Sequence, residues 1–222
     1  MDAGGWYWWD RLQQTVARAR IGKLDFDLGK KRFSAVLGTR ELAYKAAGRL
    51  TEALKLVSDV ERRRVLQEVE RIVGADLPGR APAAFAPMTW DDVRNCARQG
   101  VSFGPHTVTH PIMSRLDDAS ARWEIERSWV RLRTETSAAV PIFCYPNGGV
   151  TDVSAREPAN LRALGFDSAV TTIPRYASSS LWHSSAESRF LLPRFGYNGN
   201  SALFKQIVTG VLRPRLAMTP RG

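Results

Sequence analysis

The chain has 222 residues, enough for one domain or one domain with an elaboration, and 44% of them are hydrophobic, as in a globular protein with a sizeable core. No run of about 18 apolar residues occurs, which excludes a transmembrane helix. The N-terminus lacks a charged-then-apolar signal pattern, so the cytoplasm is the default expectation. Cys96 and Cys144 lie far apart, and we predict two buried free thiols, with a disulfide as the alternative.

The net charge of +10 raises the hypothesis of nucleic-acid binding. Residues 1–80 carry 16 basic and 11 acidic side chains, and the rest of the chain carries the same numbers. The chain shows no basic tail and no strip of aromatic and basic residues of the kind that stacks bases. We therefore predict a solvated basic surface, attracted to anionic polymers, and no nucleic-acid partner. A DNA affinity that falls steeply with salt would support nucleic-acid binding instead.

Aromatic residues crowd the start of the chain, where Trp6–Trp9 contains three of the seven tryptophans. Trp9, Leu12 and Val16 recur at helical spacing and predict a helix to about residue 20. The aromatic side chains either belong to the core or form a surface on which a sugar could stack. Residues 24–28 then alternate between apolar and charged side chains, which predicts a half-buried strand.

Two helices are predicted next. Thr39 is a suitable N-cap for the first helix, whose apolar face extends to Val57. Ser58 begins a capping box for the second helix, and Gly74 ends it. A loop rich in Pro, Gly and Ala follows. We therefore treat residues 1–75 as a mostly helical appendage of the same domain.

Helices and short apolar strands alternate in the rest of the chain, a pattern that predicts a parallel sheet or barrel. In such folds the loops at the carboxyl ends of the strands carry the functional site. The predicted helices begin near Thr89, Asp117, Pro158 and Asn200, and the predicted strands lie at residues 101–104, 141–148 with the turn that ends it, 167–172 and 190–195.

Two of the three histidines stand four residues apart in the segment Gly104–Pro111. A helix would place both on one face, but the Thr-Val-Thr between them is β-branched and Pro111 disfavours helical angles at His110. We therefore predict a strand that ends in a tight loop, with His106 and His110 converging on a cleft where they can bind one metal ion. The alternative is two loop histidines that hydrogen-bond to the backbone.

Residues 106–111, His-Thr-Val-Thr-His-Pro, match the His-(Ser/Thr)-x-x-His-Pro motif of polysaccharide deacetylases, the NodB-homology group of carbohydrate esterases. Residues 88–93 and 143–148 resemble the stretches that flank this motif in many members. The Trp-Trp-Asp-Arg-Leu opening, the helical insertion and the Leu-Pro-Arg at 192–194 are similar as well. The resemblance covers most of the chain, and the histidine motif in this setting is fairly specific.

The resemblance implies an α/β fold, a partial deformed (β/α) barrel of the NodB-homology type with a helical insertion near the N-terminus. Residues 1–75 would be that insertion, and residues 76–222 the remaining part of the barrel. The family uses a divalent metal, usually zinc, held by two histidines and one aspartate. This metal polarises an N-acetyl carbonyl and activates water, while a second aspartate acts as the general base.

Four residues of this chain match positions with a role in the family. His106 and His110 correspond to the two metal ligands, and Thr107 to the hydroxyl that steadies the histidine loop. Tyr145 falls where the family's tyrosine offers its backbone N–H to the tetrahedral oxyanion. The implied partner is an N-acetylated glycan or polysaccharide.

The chain departs from the family pattern at the residues that should complete the site. The family's Thr-Phe-Asp-Asp-Gly motif supplies the general base and the third metal ligand, and no Asp-Asp-Gly occurs here. Asp91-Asp92 and Asp117-Asp118 are predicted to cap helices instead. We therefore expect an N-terminal truncation that removes the first strand. The family's late Leu-x-His is not visible, and His183 is predicted to be a surface residue.

These observations predict a truncated polysaccharide deacetylase that hydrolyses non-peptide carbon–nitrogen bonds, the N-acetyl amides of sugars, with a divalent metal. The chain alone should be impaired, because the missing base costs about 10²–10⁴ in rate. A missing inner strand leaves sheet edges unpaired, so self-association is expected. The alternative is a catalytically inactive carbohydrate-binding relic that keeps the cleft and its aromatic wall.

Overall fold

The computed structural model describes residues 5–29, 31–197 and 199–211, and the chain divides into two compact units, Met1–Asn95 and Cys96–Gly222. The predicted mixed α/β class is confirmed. No helix among the described residues is long and apolar enough to cross a bilayer. The helices are α1 (Trp8–Ala17), α2 (Arg40–Lys55), α3 (Asp59–Val73), α4 (Trp90–Arg98), α5 (Asp118–Glu135), α6 (Arg156–Ala163), α7 (Ser179–His183) and α8 (Ser201–Val208), and the strands are β1 (Lys23–Leu28), β2 (Lys31–Val36), β3 (Ile142–Cys144) and β4 (Ser168–Val170).

The first unit packs an antiparallel hairpin, β1 and β2, with helices α1 to α3 around one apolar core. Strand β1 follows the predicted alternation, since Leu24 and Phe26 are buried. Its partner β2 was not predicted, because only Phe33 and Ala35 face the core in a strand that is otherwise exposed. The two strands meet in a turn at Gly29, whose φ of 59° suits glycine.

The ends of α2 and α3 lie where the capping residues predict them. Thr39 Oγ1 accepts a hydrogen bond from the N–H of Leu42 at 3.2 Å, and Ser58 Oγ accepts one from the N–H of Glu61 at 3.2 Å. Gly74 ends α3 in the left-handed conformation with φ 63°. The proposed division of the chain at residue 75 stays a prediction.

The second unit contains a parallel pair, β3 and β4, joined through α6. The predicted strands at residues 101–104 and 190–195 are wrong, because each segment contributes one parallel bridge instead of a strand. These bridges are Phe103 to Ala139 and Leu192 to Val170. The first of these segments is also not fully buried, since Val101 is exposed. Proline explains part of both results, because Pro105 and Pro193 have no N–H to extend a ladder.

The core of the second unit surrounds β3. Phe143, Tyr145, Leu161 and Phe190 are fully buried there. Cys96 and Cys144 are free thiols, as predicted, although each is half-buried rather than buried. Near the end of the described chain, Asn200 caps α8 by accepting a hydrogen bond from the N–H of Leu203 at 3.0 Å, and this prediction is confirmed.

Candidate active site

The histidine loop, residues 104–111, is not helical, and it brings the two imidazole rings together. The ring centroids of His106 and His110 lie 4.9 Å apart, with an angle of 81° between the ring planes. Two histidines that bind one zinc ion at Zn–N distances of about 2 Å have centroids about 5 Å apart. The observed separation therefore suits a shared metal ion.

The orientation of His106 is fixed by a backbone carbonyl. Its Nδ1 lies 2.6 Å from the carbonyl oxygen of Cys144. A carbonyl can only accept, so Nδ1 carries the hydrogen and Nε2 keeps the lone pair that a metal requires. A hydrogen bond of this kind orients metal-binding histidines and fixes their tautomer.

The surroundings of His106 favour its neutral form. Although the residue is exposed overall, desolvation of the ring lowers the pKa of His106 below its ordinary value, and the positive charge of Arg194 adds to that decrease. The hydrogen bond to Cys144 opposes the decrease without cancelling it. A neutral imidazole is the form that binds a metal.

The backbone of the loop is held in an uncommon conformation. Thr107 has φ 68° and His110 has φ 58°, both in the left-handed region that β-branched and bulky residues rarely adopt. The hydroxyl of Thr107 accepts a hydrogen bond from the N–H of His110 at 3.1 Å. This contact joins the two residues that carry the strain, and strained residues of this kind concentrate at functional sites.

A buried carboxylate on α5 holds the histidine loop through hydrogen bonds. The sequence pattern did not suggest this contact. Glu124 is 5% exposed, and its Oε2 accepts hydrogen bonds from the N–H of Val108 at 2.6 Å and of Thr109 at 3.1 Å. Its Oε1 accepts a further bond from the hydroxyl of Thr109. One signal could have identified it, because Glu124 lies on the same face of α5 as the buried residues Ala121 and Ile125.

The loop also lies very close to β3. The N–H of Cys144 donates to the carbonyl of Pro105 at 3.1 Å. A Cβ atom on Gly104 would lie 2.1 Å from the carbonyl oxygen of Ile142, so only glycine fits here without a shift. The position of His106 therefore depends on direct backbone contact with the end of β3.

Tyr145 is fully buried directly after β3, beside the residue that orients His106. Its backbone N–H donates to the carbonyl of Val170 at 3.2 Å. Service as an oxyanion donor would require this N–H to be shared with, or released from, Val170, and the role stays a prediction. Burial, with the charge of Glu157, raises the pKa of the Tyr145 hydroxyl, which finds no hydrogen-bond partner within the described residues.

The aspartate pairs lie at helix starts, as predicted. Asp92 accepts hydrogen bonds from the N–H and hydroxyl of Thr89, and Asp117 accepts one from the N–H of Ser120 at 2.8 Å. Within residues 5–29, 31–197 and 199–211, no group of three or more His, Cys, Asp or Glu side chains could hold a metal. The two imidazoles thus fit part of a metal site, and no third ligand joins them within the described residues. His183 is exposed at the end of α7.

The chain is similar to known proteins in the region of the histidine loop. Residues 67–167 match the family model described as polysaccharide deacetylase, and this stretch contains the histidine loop, Glu124 and Tyr145. A solved deacetylase of Streptococcus pyogenes, PplD in complex with acetate, is 21% identical, with a TM-score of 0.47 over 56% of this chain. The chain spans 52% of the length of that structure. No curated protein matches. The resemblance predicted from the histidine motif is confirmed over residues 67–167, which match the model of the polysaccharide deacetylase family.

Proposed function

We propose that the chain is a deacetylase-type hydrolase that cleaves the N-acetyl amide bonds of a glycan with a divalent metal, zinc, held by His106 and His110. The observation that carries the proposal is the hydrogen bond of 2.6 Å from His106 Nδ1 to the carbonyl of Cys144. It leaves Nε2 as the metal-binding atom, in a ring 4.9 Å from that of His110. The family match over residues 67–167 supports the same chemistry.

Three residues of the histidine loop, together with Tyr145, have defined tasks in this proposal. A bound metal would supply Lewis-acid polarisation of the acetyl carbonyl and a lower pKa for water. His106 and His110 hold it, and Thr107 keeps their loop in its strained conformation. The N–H of Tyr145 would stabilise negative charge that develops on the carbonyl oxygen, once it exchanges its bond to Val170.

The proposal includes low activity for this chain alone. Catalytic zinc sites have three protein ligands, and within the described residues no third ligand joins the two histidines. A general base contributes about 10²–10⁴ in rate. We therefore expect weak zinc binding and slow release of acetate.

We also propose that the second unit forms part of a deformed (β/α) barrel. Four segments support it through parallel pairs or direct backbone contact. Residues 103–105 lie beside β3, β3 pairs with β4, and β4 bridges to Leu192, with α6 connecting β3 to β4. In barrels of this kind the site lies at the carboxyl ends of the strands, where the histidine loop and Tyr145 are found.

The second candidate is a carbohydrate-binding protein without activity, favoured by the missing third ligand. Zinc binding and acetate release from N-acetylated chitooligosaccharides, compared between the wild type and His106→Ala, separate the two. A hydrolase loses both on substitution. A silent binder holds the sugar equally well in both proteins and releases no acetate.

His183→Ala is the matched control, because it removes an exposed imidazole from α7. It should leave zinc binding unchanged. Equal zinc binding by the wild type and His106→Ala would contradict the proposed metal site. Vigorous metal-dependent acetate release by the wild-type chain would contradict the expected impairment.

A further inference from the structure

Apolar side chains are exposed together at the end of the described chain. Tyr197 is 67% exposed, Phe204 49%, Val208 62% and Val211 66%. We refer to these four residues as the α8 patch. The rings of Tyr197 and Phe204 meet edge to face with centroids 5.5 Å apart. None of the residues of α8 is buried.

Part of the patch lies on one side of the amphipathic helix α8. Phe204 and Val208 are four residues apart in α8, which places them on one face, and Val211 follows three residues after the helix ends. Lys205 and Gln206 are exposed on the remaining surface of α8. The hydroxyl of Tyr176 donates to the carbonyl of Ile207 at 2.7 Å, which anchors the helix to its own unit.

Positive charge accompanies the patch in the sequence. Residues 168–222 contain seven basic side chains and one acidic side chain, Glu187, whereas residues 1–167 contain 25 basic and 21 acidic. More than half of the net charge of +10 thus lies in the final quarter of the chain. A division at residue 80 conceals this asymmetry.

We propose that the α8 patch docks on an anionic phospholipid surface. An amphipathic helix with aromatic and aliphatic residues on one face and basic residues beside it binds in the interfacial region of a membrane. Lys205 on α8 and the basic residues close to it in the sequence add electrostatic attraction to anionic headgroups. The strength of such binding grows with the apolar area buried and with the electrostatic attraction to anionic lipids, and the patch and the basic charge contribute to each.

The same features disfavour other occupants. A second copy of the chain would bring together two chains that each carry a net charge of +10, and like charges repel. A glycan would gain little from Val208 and Val211, because aliphatic side chains neither donate hydrogen bonds nor offer an aromatic face for stacking. A lipid surface satisfies both the apolar residues and the charge.

The test is flotation of the full 222-residue chain with vesicles of phosphatidylcholine, alone or with about a third phosphatidylglycerol. We expect binding to the anionic vesicles, weakened by salt, and little binding to the neutral ones. The double variant Phe204→Asp/Val208→Asp should reduce binding about tenfold or more. Lys205→Glu should reduce it about fivefold.

Matched controls separate position from net charge. Val60→Asp replaces an exposed valine in the first unit, and Lys31→Glu reverses an exposed lysine there. Neither should weaken binding as much as its counterpart in α8. Circular dichroism of every variant establishes that the fold is retained.

Five results would overturn the proposal. Four of these are absence of vesicle binding, equal binding to neutral and anionic vesicles, equal losses in the control variants, and binding of a soluble acidic polysaccharide such as alginate in preference to vesicles. A dimer that forms without lipid and dissociates in the Phe204→Asp/Val208→Asp variant would identify a second copy as the occupant instead, and would overturn it as well.

Discussion

Glu124 and Thr109 are joined by two hydrogen bonds, because the buried carboxylate accepts from both the N–H and the hydroxyl of Thr109. Glu124→Ala would leave those two donors and the N–H of Val108 without an acceptor. We expect a loss of about 3 kcal/mol in the free energy of unfolding, measured by urea denaturation. Zinc affinity should fall about tenfold or more, because the loop no longer holds His106 and His110 in place.

Glu126→Ala is the control for this variant. Glu126 is exposed on the same helix and approaches Arg122 at 3.8 Å. The substitution should change stability by less than about 0.5 kcal/mol. Equal changes in the free energy of unfolding for the two substitutions would show that the hydrogen bonds between Glu124 and the loop do not stabilise the fold.

Gly104→Ala tests the close approach of the histidine loop to β3. The new Cβ would lie 2.1 Å from the carbonyl oxygen of Ile142, so either the loop or the strand must move. We expect destabilisation of about 2–3 kcal/mol and a displaced His106, visible as a shift of its ring resonances by NMR.

Gly48→Ala provides the opposite expectation for the same chemical change. Gly48 is exposed within α2, and nothing lies within 4 Å of its would-be Cβ. The substitution should stabilise the protein by about 0.5–1 kcal/mol, because alanine favours helix more than glycine does. Similar effects at Gly48 and Gly104 would contradict the steric argument.

Tyr145→Phe separates the side chain of this residue from its backbone. The buried hydroxyl has no hydrogen-bond partner within the described residues, so its removal should leave thermal stability unchanged or raise it by about 1 kcal/mol. The proposed oxyanion donor is the N–H, which the substitution keeps, and any acetate release should persist. A large loss of stability would reveal a polar partner for the hydroxyl, and loss of activity alone would assign the chemistry to the hydroxyl.

Asp25 should make the first unit sensitive to acid. Its carboxylate accepts hydrogen bonds from Arg32 Nε at 2.6 Å and Lys23 Nζ at 2.8 Å, and these lower the pKa of Asp25 from 3.8 to about 2. The folded state thus binds this proton less readily than the unfolded state does. The resulting stabilisation is present above about pH 4 and is lost as the pH falls towards 2.

Asp25→Asn should therefore lower the melting temperature at neutral pH, and its difference from the wild type should shrink between about pH 4 and pH 2. Thermal denaturation across that range measures the difference. High salt should reduce it at neutral pH, because Lys23 and Arg32 are exposed. A difference in melting temperature that stays constant over this pH range would show that the ionisation of Asp25 is not its cause.

Local signals predicted the elements of this fold well wherever one residue decides a boundary. Thr39, Ser58 and Asn200 cap helices because each offers a side-chain oxygen to the next turn, and sequence alone reveals that chemistry. Strands were harder to predict, since they depend on partners distant in the sequence. The segments around Phe103 and Leu192 have the apolar character of strands but form one bridge each.

The candidate site likewise has features that the sequence predicts and features that depend on contacts distant in the sequence. The spacing of His106 and His110 predicted that the two rings could meet, because four residues and two prolines restrict the loop. The grip of Glu124 could not be predicted with the same assurance, since it depends on how α5 packs against the loop. The bond between the N–H of Tyr145 and Val170 depends in turn on the pairing register of β3 and β4.

Because residue 144 contacts the histidine loop through its backbone, its side chain also offers a position for chemical labelling beside the site. The carbonyl of Cys144 accepts the hydrogen bond from His106, and its N–H donates to Pro105. A probe attached to the thiol therefore removes neither bond. Desolvation raises the pKa of this thiol, which makes it a slow nucleophile at neutral pH. In a Cys96→Ser background, a small fluorophore attached at moderately alkaline pH would therefore report directly on events beside the imidazole of His106.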